Sequence, residues 1–356
     1  MIISTISTLP TTLYTTIFNP TPTQHDLLLL ISSISLFWYI TFRILHTFLH
    51  PFALRKKWLH AAFAREYDRV GHSMCNALNV QWSKERYIQI FLNDWPKMQG
   101  IYLQHFIGGA LALPAVLNHS SIINFDNDTA ASLACLGILS EMGWELSDLV
   151  DIFVTRTTMS DGKERMPNSL VIIFAIHHSM ALTLGIPMVL KYRYLREMHL
   201  LTFNLQWAAA IAIGVNEITK CLDLKNPSQL WGFRVMNGLC FLIMAWMRGV
   251  MWIQLSWRMI WIWVEDEEWA CLGVGLVVCA LITGFNFALC IYPFYKKMVK
   301  FSVWKEVVGG MGKREESQET LDTEVSSLLE DDEEEDELLE GEESENIAND
   351  VVNDDR

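Results

Sequence analysis

The first 314 residues contain little charge, and this scarcity excludes several classes of protein. They carry a net charge of only +5, whereas residues 315–356 hold 20 of the 41 acidic residues and a net charge of −19. A thinly spread positive balance argues against extended nucleic-acid binding. Several stretches of about 20 residues have almost no charged side chain, and such stretches match the thickness of a bilayer rather than the pattern of a soluble domain.

Paired cysteine motifs and a cleaved signal peptide are also missing. None of the seven cysteines belongs to a CxxC pair, and most lie within apolar stretches, which argues against a disulfide-stapled secreted fold and against thiol chemistry. The N-terminus lacks the basic segment that precedes the apolar core of a signal peptide. We therefore expect residues 1–26 to form a short leader on the lumenal side of a membrane.

The sequence does contain long apolar runs. They predict an all-α fold, a polytopic membrane bundle of about seven transmembrane helices. The first span covers 27–48 and is followed by a basic loop at 49–98, in which 57–78 has the mixed pattern of an interfacial helix. Six further spans make up a membrane domain at 99–295, roughly at 100–117, 130–150, 169–190, 200–215, 235–255 and 270–291.

The distribution of basic residues predicts the orientation. The loop after the first span is the most basic, so the positive-inside rule places it in the cytosol, with the N-terminus lumenal and residues 296–356 cytosolic. The only N-x-S/T acceptors, Asn118 and Asn127, then fall in a lumenal loop and are predicted glycosylation sites of an endoplasmic reticulum protein. The basic turn at 191–196 disagrees with this orientation.

Protease added to sealed microsomes should digest the tail, and a protected tail would refute the orientation.

The acidic tail has its own pattern. From residue 315 onward it has few large apolar residues and contains the run DDEEEDE at 331–337, which predicts disorder because such a segment cannot bury enough surface to offset its ordering entropy. Ser327, which is followed by Glu330 and Asp331, is a predicted phosphorylation site for an acidophilic kinase.

Polar residues inside the spans are candidates for function, because burying them in a bilayer is costly. Three of them, Glu141, Glu145 and Asp148, are spaced to share one helix face, although the last two could instead lie in solvent at a helix end. His177 and His178 are adjacent in the middle of the fourth span. The remaining candidates for a polar cavity are His105, Asn204, Glu217 and Arg248.

The histidine pair is the strongest of these signals. Neighbouring residues on a helix point about 100° apart, so the two rings lack the usual metal-binding spacing, and we expect no metal site. One ring could line a cavity as a base or nucleophile while the other orients it, which makes both residues catalytic candidates. The alternative for either residue is a hydrogen-bonded structural histidine.

The combination of His105 in LQHFIGG, Asp148 in GWELSD and the mid-span pair His177 and His178 resembles the TLC-domain family of membrane proteins, which includes the ceramide synthases. The resemblance covers about residues 95–295. It implies a cavity in which an acyl chain passes from acyl-CoA to the amine of a long-chain base, with the histidine pair in the site.

One part of the ceramide synthase pattern is absent. That pattern has an acidic cluster nearly 30 residues after the histidine pair, whereas this chain has FNLQWAAAIA, in which Asn204 and Gln206 are the nearest polar residues. It then continues with VNEITKCLDL, containing Glu217, and MNGLCFLIMAWMRG, containing Arg248. The resemblance is therefore closer to less characterised TLC members than to confirmed ceramide synthases.

Three functions remain compatible with these features. The first is an acyl-CoA-dependent N-acyltransferase of lipid metabolism, with acyl-CoA as co-substrate, a long-chain base as acceptor and no bound cofactor. The second is a non-enzymatic protein that binds or senses lipids and regulates membrane lipid composition. A proton-coupled transporter is the third, although no inverted repeat is visible. Membrane lipids are the expected partners and nucleic acid is not; both a monomer and a homo-oligomer fit the sequence.

Overall fold

The described part of the chain, residues 22–300 of a computed structural model, consists of helices joined by short turns and contains no β-strand. The all-α prediction is therefore confirmed for this range. Most of the predicted leader, the acidic tail from 315 and Ser327 lie outside the described residues. From Val299 onward the chain belongs to a separate unit, of which only Val299 and Lys300 are described.

The helices follow one another with few intervening residues. In chain order they are α1 (Gln24–Arg55), α2 (Lys57–Glu66), α3 (His72–Leu78), α4 (Lys84–His119), α5 (Asn127–Thr158), α6 (Gly162–Arg165), α7 (Asn168–Lys191), α8 (Arg196–Lys220), α9 (Pro227–Met244), α10 (Trp252–Glu265), α11 (Trp269–Phe285) and α12 (Tyr292–Lys300). Helical turns of the wider π type, at Tyr67–Gly71, Ala245–Met251 and Asn286–Ile291, join α2 to α3, α9 to α10 and α11 to α12.

Six helical segments of residues 22–300 are long and apolar enough to cross a membrane: α1, α4, α7, α8, the continuous α9–α10 and the continuous α11–α12. They agree with six of the seven predicted spans and make the chain an integral membrane protein. The other predicted span corresponds to α5. This helix has 32 residues, but it carries several carboxylates and is less apolar than the six segments above.

The helix starts explain why the predicted spans were too short. Thr23 caps α1 in a reciprocal arrangement with Asp26, and the Ser83 side chain accepts a hydrogen bond from the backbone N–H of Arg86 at the start of α4. As a result, α4 begins at Lys84, well before the predicted start at residue 100. Most of the predicted cytosolic loop at 49–98 is therefore helical.

The stretch predicted to be an interfacial helix, 57–78, is helical throughout as α2, the π turn and α3. Tyr67 and Cys75 pack with Trp82, Tyr87 and Ile90 in an apolar cluster at the start of α4. Beside this cluster, side chains of the α2–α3 segment reach α8. Arg69 donates a hydrogen bond to the carbonyl of Thr219 (2.9 Å), which satisfies a free carbonyl at the end of that helix.

The helices α4 and α5 cross within the bundle, and an extended apolar core beside them is formed by residues of α1, α5, α7, α8 and α10. Both α4 and α5 pack against α1, while α4 also contacts α8 and α5 contacts α7. The approach of α4 to α5 is close because both carry glycine there. A Cβ atom placed on Gly137 would lie 2.7 Å from the backbone oxygen of Gly108, so a side chain at 137 would force the helices apart.

Two basic residues of the turn that disagreed with the predicted orientation make contacts with other parts of the protein. Lys191, at the end of α7, pairs with Glu268 in the acidic turn between α10 and α11. Arg193 is buried and donates a hydrogen bond to the hydroxyl of Ser132 on α5 (2.8 Å).

Replacing Gly137 with alanine should destabilise the protein although alanine favours helices, because the new methyl group meets the backbone of α4. We expect a loss of about 1–3 kcal/mol in the free energy of unfolding, measured as a lower melting temperature in detergent. Gly273→Ala is the matched control, since a Cβ atom on Gly273 has nothing within 4 Å. Equal melting temperatures for the two variants would contradict the close crossing.

Candidate functional site

The inner face of α5 carries the three carboxylates that the sequence placed together. Glu145 and Asp148 are 1% and 3% exposed, so the alternative in which they are solvated at a helix end is wrong. Glu141 is partly buried and lies on the same face. Since buried carboxylates require partners, the neighbouring helices must supply them, and α4, α7 and α8 do so.

His178 is held between two of these carboxylates. Its Nε2 lies 2.8 Å from Oδ2 of Asp148, and its Nδ1 lies 3.6 Å from Oε1 of Glu145. Lys97 of α4 forms an ion pair with the other oxygen of Asp148. The ring of Phe174 stacks parallel to the imidazole, with 5.7 Å between centroids. These contacts fix both the position and the orientation of His178.

His177 has a different environment from its neighbour. Its side chain is 29% exposed and lines the large cavity described below, and its Nε2 lies 4.0 Å from Oε1 of Glu145. The ring stacks on Phe285 of α11, with a centroid distance of 4.3 Å and an angle of 5° between the planes. Nδ1 is buried and has no hydrogen-bond partner among residues 22–300. Stacking on Phe285 thus orients the ring, and its exposed part faces the cavity.

A second polar group surrounds Glu141. Its carboxylate accepts a hydrogen bond from Nε2 of Gln206 (2.9 Å) and lies 3.3 Å from Nδ1 of His105. The same nitrogen of His105 lies 3.0 Å from Oε1 of Gln206. Gln206 belongs to the FNLQWAAAIA segment and was not among the predicted site residues. Its position inside the bundle depends on how α8 is rotated against α4 and α5, which no local pattern indicates.

A cavity of about 420 Å³ runs between α5, α7, α8 and the continuous segments α9–α10 and α11–α12. Along α8 its lining extends from Met198 to Asn216, which corresponds to about 27 Å at 1.5 Å per residue. The lining is largely apolar, and His177 lies near the middle of α7, so the polar groups interrupt the cavity partway along its length. Five predicted residues line it: His105, Glu141, Glu145, His177 and Arg248.

The other four predicted residues lie outside this cavity. Asn204 is buried without lining it, and Glu217 instead joins helices by accepting hydrogen bonds from Trp95 (3.0 Å) and Gln99 (3.2 Å). Asp148 lines a smaller, polar pocket of about 300 Å³. His178 contacts Asp148 on one side and Glu145 on the other, and therefore separates the two pockets.

The predicted glycosylation sites flank the turn between α4 and α5, with Asn118 at the end of α4 and Asn127 at the start of α5. The Nδ2 atom of Asn118 donates a hydrogen bond to Oδ1 of Asn127, at 2.7 Å. Oδ1 of Asn118 accepts a second hydrogen bond from the backbone of Phe125. Asn127 is exposed, so its side chain is the more accessible of the two acceptors.

Within residues 22–300, Glu145, His177 and His178 form a group whose ligand atoms are close enough together to hold a metal ion. One ligand atom from each lies within 4.8 Å of the others. The histidine pair alone did not predict this, because the third donor comes from α5. Asp148, on the second nitrogen of His178, occupies the place of the carboxylate that commonly supports a metal-bound imidazole. The group could hold a divalent ion such as zinc, although the reaction proposed below does not require one.

Comparisons with known proteins add no further constraint. No protein-family model, curated protein or solved structure matches the chain. The resemblance to TLC proteins therefore stays a prediction from the sequence motifs.

The two histidines should respond differently to removal. His178→Ala would leave Asp148 and Glu145 buried without their shared partner, so we expect a loss of about 3–5 kcal/mol in the free energy of unfolding. His177→Ala removes a stacking contact beside a cavity and should lower stability much less. Melting temperatures of both variants in the same detergent test this. A larger loss for His177→Ala would show that the roles are reversed.

Proposed function

We propose that the chain is a membrane enzyme of lipid metabolism that transfers a long acyl group from acyl-CoA to the amine of a long-chain base. The observation that carries this proposal is the position of His177, a partly exposed ring partway along a long apolar cavity, with its Nε2 4.0 Å from Oε1 of Glu145. Such a cavity suits hydrocarbon chains. A cavity that only held chains would have no use for a costly cluster of ionisable groups in its wall.

In the proposed reaction, the amine nitrogen attacks the carbonyl carbon of the thioester. His177 accepts the proton that the nitrogen loses as the new C–N bond forms, and a positioned base of this kind contributes about 10²–10⁴-fold to rates. The C–S bond then breaks, and the coenzyme leaves as a thiol after taking up that proton. The products are an amide and free coenzyme A, so the imidazole returns to its starting state.

The remaining groups act by position and by excluding water. Glu145 lies beside both imidazoles and can stabilise the charge that develops on His177. His178 does not line the cavity and is a positioning residue in this scheme, since it holds Glu145 in place. The apolar walls keep water from hydrolysing the thioester.

We also propose that α5 crosses the membrane as a seventh span, with the N-terminus lumenal and the C-terminus in the cytosol of an endoplasmic reticulum membrane. The helix has 32 residues, which is long enough to cross a bilayer, and its carboxylates point into the bundle rather than toward lipid. The basic residues after α1 and the glycosylation acceptors at the end of α4 and the start of α5 support this orientation.

Lipid binding or sensing without turnover is the second candidate. It is favoured by the position of Gln206, whose side chain is hydrogen-bonded to both His105 and Glu141 and so engages these two groups within the protein. In the ceramide synthase pattern an acidic cluster is expected in this part of the sequence. Without it, an amine substrate has fewer carboxylates to hold it, whereas an apolar chain can still bind in the cavity.

Incubating the purified protein with labelled acyl-CoA and a panel of long-chain bases tests the enzyme directly. The wild type should form a labelled amide, and His177→Ala should reduce its formation about 100-fold or more while leaving folding intact. His119→Gln is the control, because this exposed histidine pairs with His199, away from the cavity. Absence of amide from the wild type with every base would refute the transferase and favour the lipid-binding candidate.

A further inference from the structure

Arg248 is a buried cation in the wall of the large cavity. It is 7% exposed and belongs to the π turn Ala245–Met251 within the long apolar segment α9–α10. Its guanidinium group stays charged under all ordinary conditions. A charge at this depth needs a compensating partner, and for that reason ionisable residues within membrane helices commonly mark binding sites.

The protein supplies Arg248 with neutral partners. Nη1 donates a hydrogen bond to Oδ1 of Asn286 (3.1 Å), and Nη2 donates one to the backbone carbonyl of Leu205 (2.6 Å). Nε is buried and has no hydrogen-bond acceptor, and no carboxylate of residues 22–300 forms an ion pair with Arg248. By contrast, the partly buried cations Lys97 and Lys220 each have carboxylate partners.

The backbone around Arg248 is also specialised. Asn286, which holds the guanidinium, begins a second π turn, Asn286–Ile291, and the two π turns pack against each other. Single π turns inside α-helices occur frequently at functional sites. Asn286 is fully buried and its Nδ2 lacks an acceptor, so a spare amide donor accompanies the spare guanidinium donor.

We propose that Arg248, positioned by Asn286, binds the anionic oxygen group of a long-chain lipid whose hydrocarbon chain lies in the cavity. A carboxylate or a phosphate has the paired oxygens that a guanidinium fork recognises, and it supplies the missing negative charge. The bound group lies close to the proposed reacting centre, since Phe285, adjacent to Asn286, stacks on His177. This inference goes beyond the proposed transfer reaction, because it requires binding and no turnover.

The test is equilibrium binding of labelled palmitate to the full-length protein in neutral phosphatidylcholine nanodiscs. Saturable binding to the wild type is expected, and Arg248→Gln should weaken it about 10- to 100-fold, the range for a lost hydrogen bond to a charged group. Arg258→Gln is the matched control. Arg258 lies on the same long helical segment, but it is exposed and pairs with Glu197, so its loss should leave the affinity unchanged.

Competition between labelled palmitate and unlabelled lipids distinguishes a carboxylate ligand from a phosphate ligand. Lysophosphatidate displacing palmitate more strongly than unlabelled palmitate would identify a phosphate ligand, and the reverse result a carboxylate. Hexadecanol has the same chain without the charge and should compete weakly. Equal competition by hexadecanol, or unchanged palmitate binding by Arg248→Gln, would overturn the proposal.

A conservative variant, Arg248→Lys, keeps the proposal testable if Arg248→Gln does not fold. If Arg248→Gln fails to fold, Arg248→Lys keeps the positive charge and loses the fork, and it should bind palmitate more weakly than the wild type while retaining a normal melting temperature. Wild-type affinity in Arg248→Lys would mean that the fork is not used for recognition, and would overturn the proposed geometry. Neither result depends on whether the protein transfers acyl groups.

Discussion

The ionic chain from Lys97 through Asp148 and His178 to Glu145 is the interaction on which the rest of the site depends. It joins α4, α5 and α7 through successive contacts of 2.5 Å (Lys97 to Asp148), 2.8 Å (Asp148 to His178) and 3.6 Å (His178 to Glu145). Buried charges of this kind are tolerated only when they are paired, so the chain fixes the relative rotation of the three helices. The position of His177 in the cavity follows from that rotation.

Adjacent histidines on one helix have acquired two different environments. Because neighbouring positions point about 100° apart, one ring can enter a buried ion network while the other faces a cavity. His178 is enclosed by carboxylates and Phe174, whereas the partly exposed ring of His177 lines the cavity and stacks on Phe285. The proposed chemistry uses this division, with one residue for structure and the other for contact with substrate.

Local sequence patterns predicted the positions of the helices better than they predicted the contacts between helices. Apolar length indicated α1, α7 and α8, and the spacing of Glu141, Glu145 and Asp148 indicated a shared face, because both depend only on neighbouring residues. Lys97 and Gln206 were missed as site residues, since their partners lie on other helices. Glu217 was expected in the cavity but joins helices instead. Neither the convergence of Glu145 with the histidines nor the lack of a carboxylate partner for Arg248 can be derived from spacing along one helix.

The central claim is that a lipid chain occupies the cavity beside His177. Photocrosslinking with a diazirine-labelled fatty acid in nanodiscs, followed by peptide mapping, tests it most directly. The account predicts labelled residues on the cavity-lining faces of α7, α8 and α10, such as Leu184, Leu201 and Met259, and loss of this labelling when excess unlabelled fatty acid is added. Labelling confined to exposed apolar residues of the outer surface, such as Leu36, Ile44 and Phe153, would contradict the account.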